Sequence, residues 1–317
     1  MNDDKILVSI QCLVYNHEPY LRQCLDGFVM QKTNFRFEAI VHDDVSTDGS
    51  AAIIREYTEK YPDIIKPIYE TENQYSKRDG SLRRIMNAAC KGKYIALCEG
   101  DDYWIDPLKL QKQVDFLEAH PDYSMCFHEN YRLIGDILEK EHFRYKKSQK
   151  VPIEDVILGG GLFCPTASLM FSVKYIENVP SSVFNLHVGD YPLQIYLASK
   201  GKVFYMHDIM CVYRFMSENS WSFRTNNNMN FKLDVINKEL VLLDTMNKVT
   251  DNKYNDVFEQ RKNIYLFFQY LEMEDFSNAK KYWQKMHRRW RYITPISYLK
   301  IHGFSKIIKI VKHVVRR

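Results

Sequence analysis

Four long apolar runs, each closed by a polar or acidic turn, limit this chain's architecture more than any other feature. Residues 6–15 are almost continuously apolar and end at Asn16, residues 35–41 end at His42-Asp43-Asp44, and residues 64–69 and 93–98 repeat the pattern. Successive apolar side chains without polar alternation belong to strands covered on both faces. Between the first two runs, Tyr20, Leu21, Cys24, Leu25, Phe28 and Val29 recur at helical spacing. Thr47-Asp48-Gly49-Ser50 supplies turn and cap chemistry before a helix at 51–61, Pro62 stops that helix, and 82–90 reads as another. The alternation predicts an α/β fold with a parallel, doubly wound sheet. In such sheets ligands bind at the carboxyl ends of the strands. Here those ends carry Tyr15-Asn16, Asp43-Asp44 and Glu99-Gly100-Asp101-Asp102, so three polar or acidic termini converge on one edge.

Further along, 108–118 reads as a helix, 123–128 as a strand, and the charged stretch 132–150 as a solvated hairpin or loop. Gly159-Gly160-Gly161 marks a turn before an apolar strand at 167–171. From about Asn228 the spacing turns helical, with Leu233, Ile236, Leu240 and Leu243 on one stripe and Tyr265, Phe268 and Leu271 on another. The chain thus divides into an α/β domain, 1–225, and a helical region, 226–317.

Charge is unevenly spread. Ten of the 44 Lys and Arg residues fall in 285–317, which holds no Asp or Glu, and the remainder of the chain has more acidic than basic side chains. In the tail, Phe304, Ile307, Ile308, Val311, Val314 and Val315 share a helical stripe opposite Lys306, Lys309, Lys312 and Arg316. Two readings fit: a helix lying on an anionic membrane surface, or one packed on the body with a solvated basic face. Nucleic acid is not an expected partner, since no binding motif accompanies the charge. The seven cysteines stand alone, with no metal-ligand or redox spacing, as expected in a reducing compartment. An acidic start without signal-peptide features, and the lack of any apolar run of about 18 residues, point to a cytoplasmic protein, peripheral on the inner membrane face if the tail binds lipid.

Asp101 and Asp102 can hold a divalent cation through oxygen, and that cation would offset a diphosphate's charge. The alternative is that they cap the helix beginning after Pro107. Asp44, at a strand end, suits an N–H donor on a base, or else caps the helix after Ser46. Asp190 opens a helix and is open to the same two readings, cap or chemical group.

The order and spacing of VSIQCLVYNHEPYLRQCL at 8–25, AIVHDDVSTDGS at 39–50, GKYIALCEGDDYWIDPLKLQKQVDFLE at 92–118 and GDYPLQIYLASKG at 189–201 resemble the inverting glycosyltransferases of family 2, over residues 5–215. The resemblance implies a GT-A fold, a Rossmann-like, mostly parallel sheet flanked by helices. It implies a nucleotide-diphosphate donor, with UDP expected, and a glycan or polyprenyl-linked saccharide acceptor in capsule, O-antigen or exopolysaccharide assembly. By the same resemblance Tyr15, Asn16 and Glu18 border the base and ribose, Asp44 accepts from the base's imide nitrogen, and Arg78 lies near the diphosphate. Asp101 faces the ribose or the metal, Asp102 coordinates Mn²⁺ or Mg²⁺, and Asp190 is the catalytic aspartate. Trp104 packs on a sugar or in the core, and His128 and Thr166 are acceptor-side candidates.

Two positions depart from the family pattern. Gly189 stands where an acidic neighbour of Asp190 is usual, and Met216 stands where a metal-binding His is usual, with His207 a distant substitute. Met is a poor ligand for a hard cation. These departures keep a catalytically silent sugar-nucleotide-binding protein in view. A sugar-phosphate nucleotidyltransferase would need a Gly-rich, basic loop after the first strand, and residues 14–19 contain neither Gly nor Lys.

Overall fold

The computed structural model describes residues 5–140, 145–215 and 229–287. The strands are β1 (Ile6–Val14), β2 (Arg36–Asp43), β3 (Ile65–Tyr69), β4 (Tyr94–Leu97), β5 (Tyr103–Trp104), β6 (Tyr123–Ile134), β7 (Ile137–Lys140), β8 (Gln149–Val151), β9 (Met170–Ser172) and β10 (Lys202–Arg214). The helices are α1 (Glu18–Val29), α2 (Ser50–Lys60), α3 (Gln74–Lys77), α4 (Ser81–Ala89), α5 (Lys109–Ala119), α6 (Ile153–Gly159), α7 (Ser181–Phe184) and α8 (Asp190–Lys200). Three more follow: α9 (Met229–Val249), α10 (Asn255–Glu272) and α11 (Phe276–Lys285).

The sheet runs β3-β2-β1-β4-β9-β6-β10-β5. Its first half, β3-β2-β1-β4, is parallel, as the apolar runs predict. Beyond β4 it is mixed, because β9 pairs antiparallel with both β4 and β6 while β6 and β10 run parallel. Two antiparallel steps restore direction, so β6 and β10 end on the same edge as β1, β2 and β4. The stretch expected to be a solvated hairpin or loop contains such a hairpin: β6 runs on through Ile134 and turns back as the exposed β7.

Alternation along single strands shows that both faces are covered. On β4, Tyr94 and Ala96 enter one core while Ile95 and Leu97 enter the other, and on β6 Cys126 parts from Met125 and Phe127 in the same way. The first core is closed by α1, α2 and α5, through residues such as Leu21, Phe28, Ile54 and Leu117. The second is closed by α6, α8 and α9, through Val156, Ile195 and Leu242. Thus α9 shares the second core of the sheet, while α10 and α11 pack around Phe267, Leu271 and Ala279. Among the described residues no helix is long and apolar enough to cross a membrane. The basic tail lies outside the described residues.

Candidate active site

Two loops at the carboxyl edge are stitched together by side chains closing on backbone amides. Asn16 takes a left-handed conformation, its N–H donates to Ser46 Oγ (2.9 Å), and its Oδ1 accepts from Thr47 N (2.7 Å). Glu18 Oε2 accepts from Gly49 N (2.7 Å), and Asp48 accepts from Glu18 N (3.0 Å) and Ser50 N (2.9 Å). Asp48 thereby serves the first turn of α2, where a carboxylate is favoured by free N–H groups and the helix dipole. Tyr15 stands half-exposed on the rim.

Asp44 takes a capping role, on a helix other than the expected one. It is 4% exposed, and its two oxygens accept from Gln74 N (2.6 Å) and Tyr75 N (3.0 Å), so it caps α3 instead of the helix after Ser46. The carboxylate thus ties the 73–78 loop to the end of β2, and the expected imide contact meets oxygens already engaged by backbone donors. Arg78, at the end of α3, is exposed, lies over the Tyr75 ring (4.1 Å) and donates to His187 O (3.1 Å).

The acidic turn is built differently. Asp102 is 2% exposed, and its Oδ1 accepts from Arg214 N (2.9 Å) at the end of β10. Burial, with Asp101 adding to it, pushes the Asp102 carboxyl well above the usual range. The Arg214 guanidinium binds back to Asp101 O and Gln23 Oε1, lying over the rings of Tyr20 and Tyr103. Asp102 is therefore a buried brace between the turn and β10, and Asp101, partly exposed, is the aspartate of the turn that reaches the cleft. Asp102, expected to coordinate the metal, has one oxygen taken by the Arg214 amide, and Asp101 is the more exposed of the two. Glu99 opens to the cleft, yet the protein around it, then Asp101 and Asp190, raise its pKa, with Arg83 opposing.

Asp190, partly buried, begins α8, and its oxygens accept from Thr166 Oγ1 (3.1 Å) and Tyr191 N (2.8 Å). Thr166, read as an acceptor-side candidate, is thus brought beside Asp190. Arg83, in the first turn of α4, completes the group. Burial lowers its pKa, while Asp190 and Glu99 oppose that shift, so it lies within electrostatic reach of both acids. It also donates to Gly189 O (3.2 Å), and a Cβ at Gly189 would sit 2.7 Å from its Nη2. Gly189 replaces the usual acidic neighbour at a position where a side chain would displace this arginine. Sequence reading passed over Arg83 in favour of Arg78. Its signal was positional: the first turn of a helix leaving a parallel strand lies at the carboxyl edge.

Two expected acceptor residues lie elsewhere. Trp104 is 2% exposed, donates from Nε1 to Ala167 O (2.8 Å) and meets Phe28 edge-on at 4.9 Å, so the core reading holds and its ring has no face for a sugar. His128 is fully buried, with Nδ1 2.7 Å from Glu129 O. His207 sits in mid-strand beside Tyr205 (3.1 Å), far along β10 from Asp102, and Met216 lies outside the described residues. A cavity of about 640 Å³ between Asp122, Pro152, Glu154 and Lys202 opens at the amino ends of β6 and β10, away from the acids.

Among the described residues no three His, Cys, Asp or Glu side chains are arranged to hold a metal. The chemistry of the turn nevertheless suits Mg²⁺ or Mn²⁺: Asp101 and Asp102 offer hard carboxylate oxygens, and such ions commonly take one or two carboxylates and complete their shell with phosphate and water.

The sequence profile described as Glycosyl transferase family 2 matches residues 9–179. The chain belongs to glycosyl transferase family 2. An uncharacterised protein of Mycobacterium tuberculosis (strain ATCC 25618 / H37Rv) is 35% identical over 215 residues, 68% of this chain and 60% of that protein, so the chain spans about 60% of such a relative's length. A Bacillus spizizenii poly(ribitol-phosphate) beta-glucosyltransferase is 37% identical over 97 residues, 30% of this chain and 15% of that one. Among solved structures, S. aureus TarS 1–349 in complex with UDP-GlcNAc aligns with a TM-score of 0.57 at 13% identity, covering 98% of this chain and 89% of that chain. The mannosyltransferase PcManGT of Pyrobaculum calidifontis, in complex with GDP-Man and Mn²⁺, aligns at 0.55 and 13% identity, covering 97% and 79%. At such identities the likeness speaks for the fold, and the fold is the family's GT-A arrangement.

Proposed function

We propose that this family 2 member transfers a sugar from a nucleotide-diphosphate donor, UDP-linked, to a hydroxyl of a glycan or lipid-linked saccharide, with inversion at the anomeric carbon. The observation that carries the reading is the meeting of Glu99, Asp101, Asp190 and Arg83 at the carboxyl edge, which the fold otherwise gives no reason to assemble. The solved relatives holding UDP-GlcNAc and GDP-Man with Mn²⁺ support it by likeness of fold.

In this reading residues 1–225 form the transfer domain. Tyr15 and the Asn16 turn flank the base, the loop held by Asp44 backs it, and Glu18 keeps the two loops in register. Asp101, with Asp102 bracing the turn from behind, would hold Mn²⁺ or Mg²⁺, which when bound neutralises charge developing on the departing diphosphate. Arg83 is the nearer protein cation for that charge, with Arg78 further out on the rim. Asp190 accepts the proton of the attacking hydroxyl, since its oxygens keep lone pairs beyond those used by Thr166 and Tyr191. One displacement suffices and no covalent enzyme nucleophile is needed.

A panel of UDP- and GDP-sugars incubated with the protein and Mn²⁺ tests this through nucleotide release. The expected result is turnover of one UDP-sugar, abolished by EDTA and restored by added metal. Tight UDP binding without turnover of any donor, acceptor saccharides included, would favour the silent reading.

A further inference from the structure

The turn 187–189, which delivers Asp190, is hydrogen-bonded in front and packed from behind. Donor-side arginines grip it in front, Arg78 at His187 O (3.1 Å) and Arg83 at Gly189 O (3.2 Å). Behind it stands the helical region: Glu239 Oε2 on α9 lies 3.5 Å from His187 Nε2, and its Oε1 lies 3.8 Å from Arg261 Nη2 on α10. The three side chains are 8%, 10% and 14% exposed, so the contact is an internal one. Arg261 also reaches the glycine turn on the other side of the site. Gly160 has φ +71°, and a Cβ there would collide with the Arg261 guanidinium. That guanidinium lies over the Tyr191 ring at 5.9 Å, next to Asp190. The 159–161 turn leads on to Thr166, the hydroxyl that binds Asp190.

We infer that Glu239 and Arg261 are positioning residues of the transfer site: as a buried pair they fix the 187–190 turn and the 159–161 turn together, and so set the place of Asp190 and Thr166. The inference rests on Asp190 being the proton acceptor, and it assigns the helical region a part in catalysis. Asp190 stands near enough to act on the pair electrostatically, since burial raises the Glu239 pKa, Arg261 opposes, and Asp190 adds to the rise. His187 is a neutral spacer near neutral pH: burial, then Lys238 and Arg78, hold its pKa down to about 4. Removing one member leaves the other charge buried and unpaired, which loosens the turn while the nucleotide loops after β1 and β2 keep their own hydrogen bonds.

The test compares Glu239→Gln, Arg261→Met, Arg261→Lys and Asp190→Asn in the full chain. Backbone hydrogen exchange reads placement independently of turnover, and exchange in 186–191 and 159–163 is expected to quicken by about tenfold in Glu239→Gln and Arg261→Met while the loops at 15–18 and 44–50 keep wild-type rates. Turnover of the UDP-sugar selected by the panel, with Mn²⁺, should fall about tenfold in kcat with UDP Kd within about twofold, because the loops that hold the base and ribose are untouched. Combining the two substitutions should add little to the worse single one, and Arg261→Lys should recover part of the loss. Should Glu239→Gln melt below the assay temperature, Arg261→Lys carries the comparison. Wild-type exchange and kcat in a folded Glu239→Gln protein overturn the inference, as does loss of UDP affinity in step with kcat. Full turnover in Asp190→Asn would instead sink the base assignment, so the two failures are distinct.

Discussion

The two walls of the cleft hold the same kind of side chain under opposite conditions. On the wall built by the loops after β1 and β2, Glu18, Asp44 and Asp48 each close on backbone N–H groups at a helix start. Amide dipoles absorb that charge where it stands, and the result is a clamp. On the wall built by the turn after β4 and the start of α8, Asp190 takes one helix-start N–H as well, but Asp101 and Asp190 both act on Glu99, with Arg83 the cation that opposes them. Like charges brought together without equal compensation raise the energy of the empty site, and a bound cation or developing positive charge lowers it. A carboxylate at a strand end is therefore a poor guide to function by itself. What faces it decides between architecture and chemistry.

The contrast can be broken by substitution on either wall. The largest effect belongs to the acid side: Asp101→Asn should cut Mn²⁺-dependent UDP release by several kcal/mol of barrier, roughly 10³-fold, and wild-type release at equal metal would move the metal away from this turn. Next comes the support beneath it. Trp104→Ala should lower stability by about 3–5 kcal/mol in urea unfolding, and a loss confined to sugar affinity would restore the ring to the cleft.

Lys109 gives a pH test of the same core. It is fully buried, 4.0 Å over the Trp104 ring, and burial holds its pKa down to about 8 from 10.5. Below pH 8 both folded and unfolded chains carry the proton and the burial cost is complete. As pH rises toward 10.5 the folded chain releases the proton first, so stability relative to Lys109→Met should increase by about 3 kcal/mol across that window. A pH-independent difference would mean that Lys109 is solvated. The smallest effect belongs to the clamp: Asp48→Ala should cost about 1 kcal/mol of stability and leave kcat within about twofold, and a large kcat loss would erase the distinction between the walls.

Much of the parallel half was legible because its signals are local. A run such as Ile40 and Val41 leading to Asp43 and Asp44 carries strand and edge in consecutive residues. By contrast β10 gives no continuous apolar run, since His207 and Asp208 interrupt it where its register with β6 shifts between Met206 and Ile209. The partners of Asp44 lie 30 and 31 residues away, those of Asp102 more than 100, and such pairings are fixed by tertiary placement. Trp104, next to the acids in sequence, was ambiguous for the same reason: Gly27, on α1, lets the helix close over it, with a Cβ position 2.9 Å from Trp104 N. Glu239 and Arg261 lay in stretches that read as plain amphipathic helix.

The central claim is that proton acceptance resides in Asp190 while the opposite wall binds the nucleotide. Asp190→Asn measured side by side for kcat and for UDP Kd tests it most directly. The account predicts a kcat loss of roughly 10²–10⁴-fold, the usual worth of a positioned base, with UDP affinity within about twofold of wild type. Undiminished turnover, or a loss of UDP affinity as large as the loss of kcat, would contradict it.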